Sequence, residues 1–374
     1  MLRVWMQESA PPRATAEARP GRWVAEERWP PLRDGRPLEP ARYALEPGRL
    51  VRAGSGAGPP AGELFISSPQ TTGRAGGDWC AFGAEGELPG SQRGDDGRSL
   101  TFDSEPLVWP VEILGAPEVT LELASDLPAA LVAVRLCDVA PHGSSTRVSY
   151  GLLNLSHREG HERPEPLEPG RRYQVRLRLN DIAHAFPRGH RIRLAVSTSY
   201  WPMVWPSPEP ATLSLFPGGS RLELPVRPPR REDDELRPFA PPEQGPTHTR
   251  LRPARFRRSI ERDLATEETV QVVEEDGGEL EGAALARVDA IDLEMGTQVS
   301  RRYRITEHDP LAARAEVRHE TLLRRDGWEV KVETRTELTS DAEEFFLRAE
   351  LRAWEGAELG FERKWDERIP RRLV

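Results

Sequence analysis

Apolar and polar residues alternate with period two through much of the first half of the chain. The runs are Val119, Leu121 and Leu123; Val132, Val134 and Leu136; Val148, Tyr150 and Leu152; Tyr173, Val175, Leu177 and Leu179; and Ile192, Leu194 and Val196. Each run predicts a strand with one buried and one wet face, because successive side chains point to opposite sides of a pleated strand. Turn-rich stretches at 141–145 (Pro-His-Gly-Ser-Ser) and 168–172 (Glu-Pro-Gly-Arg-Arg) separate the runs. That spacing suits a two-sheet antiparallel sandwich, a class that includes the jelly roll. The first hundred residues alternate less clearly. Trp23, Ala25 and Trp29, then Leu64 to Ile66, predict short strands among loops that wrap the sandwich.

The pattern changes after residues 225–253, which hold eight prolines, an acidic run and almost no apolar periodicity. Proline cannot donate to a strand ladder, so this composition predicts an extended connector. Beyond it come longer amphipathic runs: 270–274, 285–295, 299–306, 313–323, 328–338, 345–354 and 359–365. These predict a second, mostly antiparallel sheet of about seven strands. Asp326-Gly327 between two alternating runs marks a hairpin turn needing positive φ. The expected organisation is an all-β chain: a sandwich over 1–228, a Pro-rich linker over 229–255 and an antiparallel β domain over 256–374. No fixed-period repeat relates the halves.

Composition narrows the function classes. Fifty-two basic against 61 acidic residues leave a formal charge of −9 over 374 residues, which argues against a phosphate-backbone binder. The mean hydropathy is −0.60, and no apolar stretch approaches the roughly 20 residues of a membrane span. The first residues lack the pattern of a secretory signal, so a cytoplasmic location is expected. Cys80 and Cys137 are too few for a disulfide framework and are expected to be reduced, structural and buried. All basic residues but Lys331 and Lys364 are arginines, a skew to which no chemistry attaches.

The search for catalytic motifs returns negatives. Neither 53–58 (Ala-Gly-Ser-Gly-Ala-Gly) nor 89–92 (Pro-Gly-Ser-Gln) completes a GxSxG elbow. No GxGxxG, GxxxxGK[ST] or HExxH is present, and no cofactor or metal is expected. His157 and His161 have helical ligand spacing, but Gly160 and Pro164 speak for a solvated loop. His184 and His190 precede Ser197 and Ser199, which allows a nucleophile and base on paper but supplies no activating turn. The acidic run Glu232-Asp233-Asp234-Glu235 reads as solvated, and Asp95-Asp96 as a turn, since neither has the alternate spacing of a calcium loop. Residues 197–209 concentrate Tyr200, Trp201 and Trp205 among prolines. Rigid aromatics there lose little entropy on contact, so they are candidates for an interface, or else for a loop folded over its own core.

The long stretches VEILGAPEVTLELASDLPAALVAVRLCDVAPHGSSTRVSYGLLNLSHREGH (111–161) and LEPGRRYQVRLRLNDIAHAFPRGHRIRLAVSTSYWPMVWPSPE (167–209) resemble the C-terminal domain of the CocE/NonD serine hydrolases. That family includes cocaine-esterase-like enzymes and Xaa-Pro dipeptidyl-peptidases. The resemblance extends less sharply through 2–8 and 23–30, and so covers about residues 1–228 as judged by these motifs. It implies a jelly-roll, galactose-binding-like sandwich that follows an α/β-hydrolase domain bearing a Ser-Asp-His triad. The elbow serine, acid and histidine would lie upstream of Met1, so no catalytic residue carries over and the chain alone is expected to be inactive. The implied partner is that hydrolase domain, with a small acyl or peptide substrate in the complete enzyme. Tyr200, Trp201 and Trp205 would then sit at the domain interface or substrate cleft, and 256–374 would be a C-terminal β extension. Two other readings stand beside it: a freestanding sandwich that binds sugar or peptide through aromatics, and an enzyme built around His184, His190 and the 197–199 serines.

Overall fold

The computed structural model describes residues 2–373 apart from 34–35, 38, 55–61, 82, 244, 246 and 278–281, with backbone alone at 32–33 and 36–37. Ser55 to Gly58 of the 53–58 stretch therefore lie outside the described residues. The chain forms two compact units. The first comprises Met1–Gly83, Leu88–Phe239 and Leu373–Val374, and the second Ala84–Glu87 and Ala240–Arg372.

The first unit is a β-sandwich. One sheet orders its strands Gly21–Glu26, Leu2–Glu8, Ile182–Phe186 and Val111–Gly115. Leu2–Glu8 runs parallel to Ile182–Phe186, with Gln7 opposite His184, so the sandwich is not wholly antiparallel as expected. The other sheet runs Ser145–Asn154, Leu131–Val139, Arg191–Ser197, Leu100–Asp103, Arg49–Arg52, Ala41–Glu46, Leu213–Leu224, Glu118–Ser125 and Tyr173–Arg178, with Leu64–Ile66 also pairing to Leu213–Leu224. It curls until its two ends meet, where the Asn180 N–H donates to Tyr150 O at 3.0 Å. Val119, Leu121, Leu123, Val132, Val134, Leu136, Leu194 and Val196 all point into one core, with Ile113 and Phe186 from the smaller sheet. The alternation marks this face correctly.

Leu131–Val139 departs from the expected wet face, since every one of its residues is buried. Ala133, Arg135 and Cys137 lie outside the main core cluster, and Arg135 is met on that face by Gln92, Asp96 and Ser99. Arg135 forms an ion pair with Asp96 at 3.0 Å and donates to Gln92 Oε1 at 3.0 Å and Ser99 Oγ at 2.9 Å. Asp96 also takes Arg193 at 3.0 Å, and Arg193 grips Asp103 with two bonds of 2.7 Å. Burial opposes the Arg135 charge, but Cys137 and Asp96 outweigh it and push its pKa up. Burial, with Asp96, pushes the Cys137 thiol up to about 12. Asp95 and Asp96 do form a turn, the single helical turn Arg93–Asp96, yet both are buried. Cys80, by contrast, is exposed rather than buried, and both cysteines are free thiols.

Among its described residues the second unit is a nine-stranded antiparallel sheet rather than one of about seven. Its order is His248–Pro253, Ala283–Val288, Leu293–Thr306, Arg314–Arg325, Trp328–Ser340, Glu344–Glu355 and Glu358–Pro370. Glu268–Asp276 also pairs with Leu293–Thr306 and carries Arg255–Arg262. The run read as one strand over 285–295 is two, broken at Asp292, whose φ is 49°. The Asp326-Gly327 hairpin closes where expected, with Arg325 opposite Trp328 and Gly327 at φ 74°. Of the 229–255 stretch, Arg231–Asp233 forms a 3₁₀ turn and His248–Pro253 a strand. Asp233 is not solvated: it accepts two 2.8 Å bonds from buried Arg227 and one from Ala25 N. Burial would raise the Asp233 pKa, but Arg227 and the Ala25 N–H hold it below the usual carboxylate range.

Removing one partner of a buried ion pair strands the other, so Asp96→Ala is expected to cost about 3–5 kcal/mol in urea unfolding of the full chain. The double variant Asp96→Leu/Arg135→Met, which removes both charges, should lose less than Asp96→Ala alone.

Candidate functional site

The 197–209 segment leaves the strand Arg191–Ser197 and is pinned at once to residues 68–73. Thr198 N donates to Ser68 Oγ at 3.1 Å, Ser199 Oγ to Gln70 O at 3.2 Å and Trp201 N to Thr72 O at 2.7 Å. Gly73, at φ 106°, has no room for a Cβ, which would meet the Trp201 carbonyl oxygen at 2.7 Å. Such a backbone approach admits only glycine. Tyr200 is thereby buried, its hydroxyl accepting from Arg147 Nη1 at 2.8 Å, and burial raises its pKa. Trp201 is 5% exposed and meets Trp205 edge to face at 5.4 Å. Of the three aromatics expected at an interface, Tyr200 and Trp201 thus pack inside their own unit, while Trp205 stays half-buried beside Met203 and Val204.

Arg147 leads from this segment to a pocket of about 230 Å³ whose lining includes Arg19, Arg147, Tyr150, Asn180, Asp181 and His184. The Arg147 guanidinium lies 4.2 Å over the Tyr150 ring. Among the described residues neither Arg19 nor Arg147 has a carboxylate within ion-pair distance, whereas Asp181 is held by Arg178 at 2.9 Å through both oxygens. Burial, and then Arg147, lower the Arg19 pKa. Two guanidinium groups beside an aromatic face and an amide suit an acidic side chain or a carboxylate ligand. The lining hydroxyls of Thr146 and Ser149 already donate to Ala10 O at 3.1 Å and Asn180 O at 2.6 Å. They show no activating base.

The two histidines singled out from sequence do meet, but around a carboxylate. His184 Nε2 lies 3.3 Å and His190 Nδ1 2.7 Å from buried Asp138. Burial would raise the Asp138 pKa, but hydrogen bonds from His184, Ser9 and His190 hold it below the usual range. In a nucleophilic triad the histidine stands between acid and nucleophile; here the acid is the hub, and among the described residues no serine is paired to either ring. Ser197 ends the strand that His190 precedes, roughly 20 Å away at strand rise, and its hydroxyl donates to Ser199 O at 3.1 Å. Together these distances remove the triad reading. His157 and His161 approach within 3.1 Å of each other, and among the described residues no third ligand joins them. The second unit holds an open groove of about 840 Å³. Its charged walls pair with one another, as Arg257 does with Glu274 at 3.5 Å.

The first unit is therefore a β-sandwich with a pocket that two arginines line, and among the described residues it holds no assembled nucleophile. The chain belongs to the family described as the X-Pro dipeptidyl-peptidase C-terminal non-catalytic domain, whose model matches residues 3–232. It is similar to the cocaine esterase of a Rhodococcus species, with 30% identity over 103 residues, 28% of this chain and 18% of that protein. A putative serine esterase of Mycobacterium bovis is 28% identical over 199 residues, 47% of this chain and 30% of that protein. A putative Xaa-Pro dipeptidyl-peptidase of Streptomyces avermitilis is 25% identical over 263 residues, 58% of this chain and 36% of that protein. The match thus spans about a third or less of the length of these relatives. No helix among the described residues is long and apolar enough to cross a membrane.

Sequence reasoning missed Arg19, Asp138, Arg147 and the Arg135 cluster. The available signal was the pair of charges, Arg135 and Asp138, inside the otherwise apolar run 131–139.

Two outcomes follow. The Asp138 pKa is lower in the folded state, so its contribution is fully present above about pH 4, the range of an unfolded aspartate, and is lost as pH falls through the folded value. Asp138→Asn should destabilise the chain at neutral pH and flatten the acid limb of a pH–stability curve. Trp201→Ala should cost about 3 kcal/mol or more, and half-buried Trp205→Ala well under half of that, in parallel melts.

Proposed function

We propose that this chain is the C-terminal, non-catalytic part of a CocE/NonD-type serine hydrolase, an ester, amide or Xaa-Pro peptide hydrolase when complete. The observation that carries the reading is the family match over 3–232, which coincides with the body of the first compact unit. Its role is to dock against an α/β-hydrolase domain and wall its substrate cleft. Half-buried Trp205, Met203 and Val204 and the pocket of Arg19 and Arg147 are the surface we assign to that contact, the arginines taking an acidic group across the seam. Both cysteines are thiols, which fits a cytoplasmic setting.

Ester and amide hydrolysis needs an activated nucleophile and oxyanion donors. The purified chain is therefore expected to release no p-nitrophenol from p-nitrophenyl acetate and no p-nitroaniline from an Xaa-Pro anilide above buffer. DNA upstream of the Met1 codon, translated in all frames, should encode a GxSxG-bearing α/β segment. Joining or co-expressing that segment should recover turnover, and Trp205→Ala should reduce it. Turnover by the chain alone, abolished by His190→Ala, would overturn the proposal. So would the lack of any such segment together with sugar or peptide binding by the isolated chain, which is the outcome of the freestanding-module reading.

A further inference from the structure

The strand Glu358–Pro370 ends the nine-stranded sheet and, among the described residues, pairs on one side alone, with Glu344–Glu355. Its other edge offers unpaired backbone over 13 residues. Along it every residue but Trp365 is exposed, including Phe361 at 51% and Ile369 at 45%. Long edges of this kind are normally shortened, bulged or blocked by proline or inward charge, because they template pairing with another chain. Here the one bulge lies near Trp354, opposite the start of the strand, and the proline is its last residue. The stretch 361–369 between them is regular, pairing residue for residue with 353–345.

The residues on this edge are complementary to themselves. Two copies laid antiparallel about a two-fold axis at Trp365 set Lys364 opposite Asp366, Arg363 opposite Glu367, Glu362 opposite Arg368 and Phe361 opposite Ile369, each pair occurring twice. Every charged position in the stretch then meets an opposite charge, and the two exposed apolar residues meet each other. Cross-strand opposition of this kind is the unit of sheet stabilisation, and like charges directly opposite are destabilising. A slip of the register by one residue fails in either direction. Glu362 would face Glu367 in one case, and Arg363 would face Arg368 in the other. Centring on Lys364 or Asp366 places like charges on the axis itself. Three of these charges are accessible for such pairing, with side-chain exposures of 63% for Lys364, 75% for Asp366 and 74% for Arg368 and partners within the sheet 3.5 Å or more away, while Glu362 is shared with Arg352 at 3.0 Å.

We propose that the chain forms a two-fold dimer by antiparallel pairing of Glu358–Pro370 with the same strand of a second copy, in register about Trp365. A two-fold contact is self-complementary by construction, so each substitution acts twice. The second copy is preferred over a foreign strand because the edge carries its own complement in order.

The test is sedimentation equilibrium of the full 374-residue chain at micromolar concentrations. A dimer that weakens as salt rises is expected. Lys364→Asp puts a second carboxylate opposite Asp366 in both symmetry-related pairs and should weaken the dimer by about tenfold or more. The swap Lys364→Asp/Asp366→Lys restores opposition in this register alone and should return the affinity to within a few-fold of the parent. Circular dichroism of both variants checks that the sheet persists. A monomeric parent overturns the proposal, as does a dimer indifferent to Lys364→Asp. A swap that does not rescue overturns the register, and with it the self-complementarity from which the dimer is inferred.

Discussion

The ion pair between Arg135 and Asp96 is the constraint on which the sandwich's outer layer depends. A guanidinium in the middle of a strand buried on both faces has lost its water, and such a charge is tolerable only when paired and hydrogen-bonded. Asp96, Gln92 and Ser99 supply those bonds, and all three belong to a segment with little regular structure of its own. The segment is held because the charge must be answered. Gln92 in turn donates to Ala75 O at 2.9 Å, and Asp95 accepts from Ala75 N, so the requirement passes back along the chain. From there residues 68–73 fix 198–201, and the Tyr200 hydroxyl arrives against Arg147 at the pocket. A chain of contacts thus runs from the buried cation to Arg147 at one side of the pocket.

The same arrangement recurs at the smaller sheet. Arg227 is buried just beyond the strand Leu213–Leu224, where it donates to Glu26 at 2.6 Å and to Asp233 through both terminal nitrogens. Glu26 also takes Arg230 at 2.8 Å. Both clusters join segments far apart in sequence, 135 to 96 in one case and 227 to 26 in the other. Replacing such networks by apolar groups is often neutral in stability elsewhere. What they supply here is position: each fixes a loop that the apolar core does not reach.

This explains which parts of the fold were legible. Val119, Leu121 and Leu123, or Ile192, Leu194 and Val196, face the core as their alternation requires, because the hydrophobic effect acts on single residues and needs no partner. Cys137 is buried as its residue type led one to expect, but the burial of Ala133 and Arg135 was not legible, since a strand wet on one face and a strand covered by a charged loop share the same period. Its trace was Arg135 itself, a charge that a wet face permits and an otherwise apolar strand must explain. Trp201 and Trp205 show the same limit. Their sequence context is one cluster, yet one ring is buried and the other half-buried, because the difference is set by a backbone contact with Gly73 some 130 residues upstream. Asp233 read as solvated because its neighbours Glu232, Asp234 and Glu235 are acidic, while its partner Arg227 lay on the far side of a proline pair.

The second unit follows a different balance of forces. Its described residues contribute few fully buried apolar side chains, and the long strands are half-buried on both faces. Cohesion is carried by opposed pairs between neighbours, such as Arg352 with Glu362 at 3.0 Å and the Lys331 ammonium 4.5 Å over the Trp354 ring, both directly across from each other in the ladder. Pairs of this kind contribute about 0.2–1 kcal/mol each and act only between adjacent strands. A sheet stabilised so locally gains a comparable increment from every strand added, whichever chain supplies it. The last strand therefore stands to gain from a neighbour as much as an inner one does. Its order of charges about Trp365 is the feature that makes its own copy the fitting neighbour.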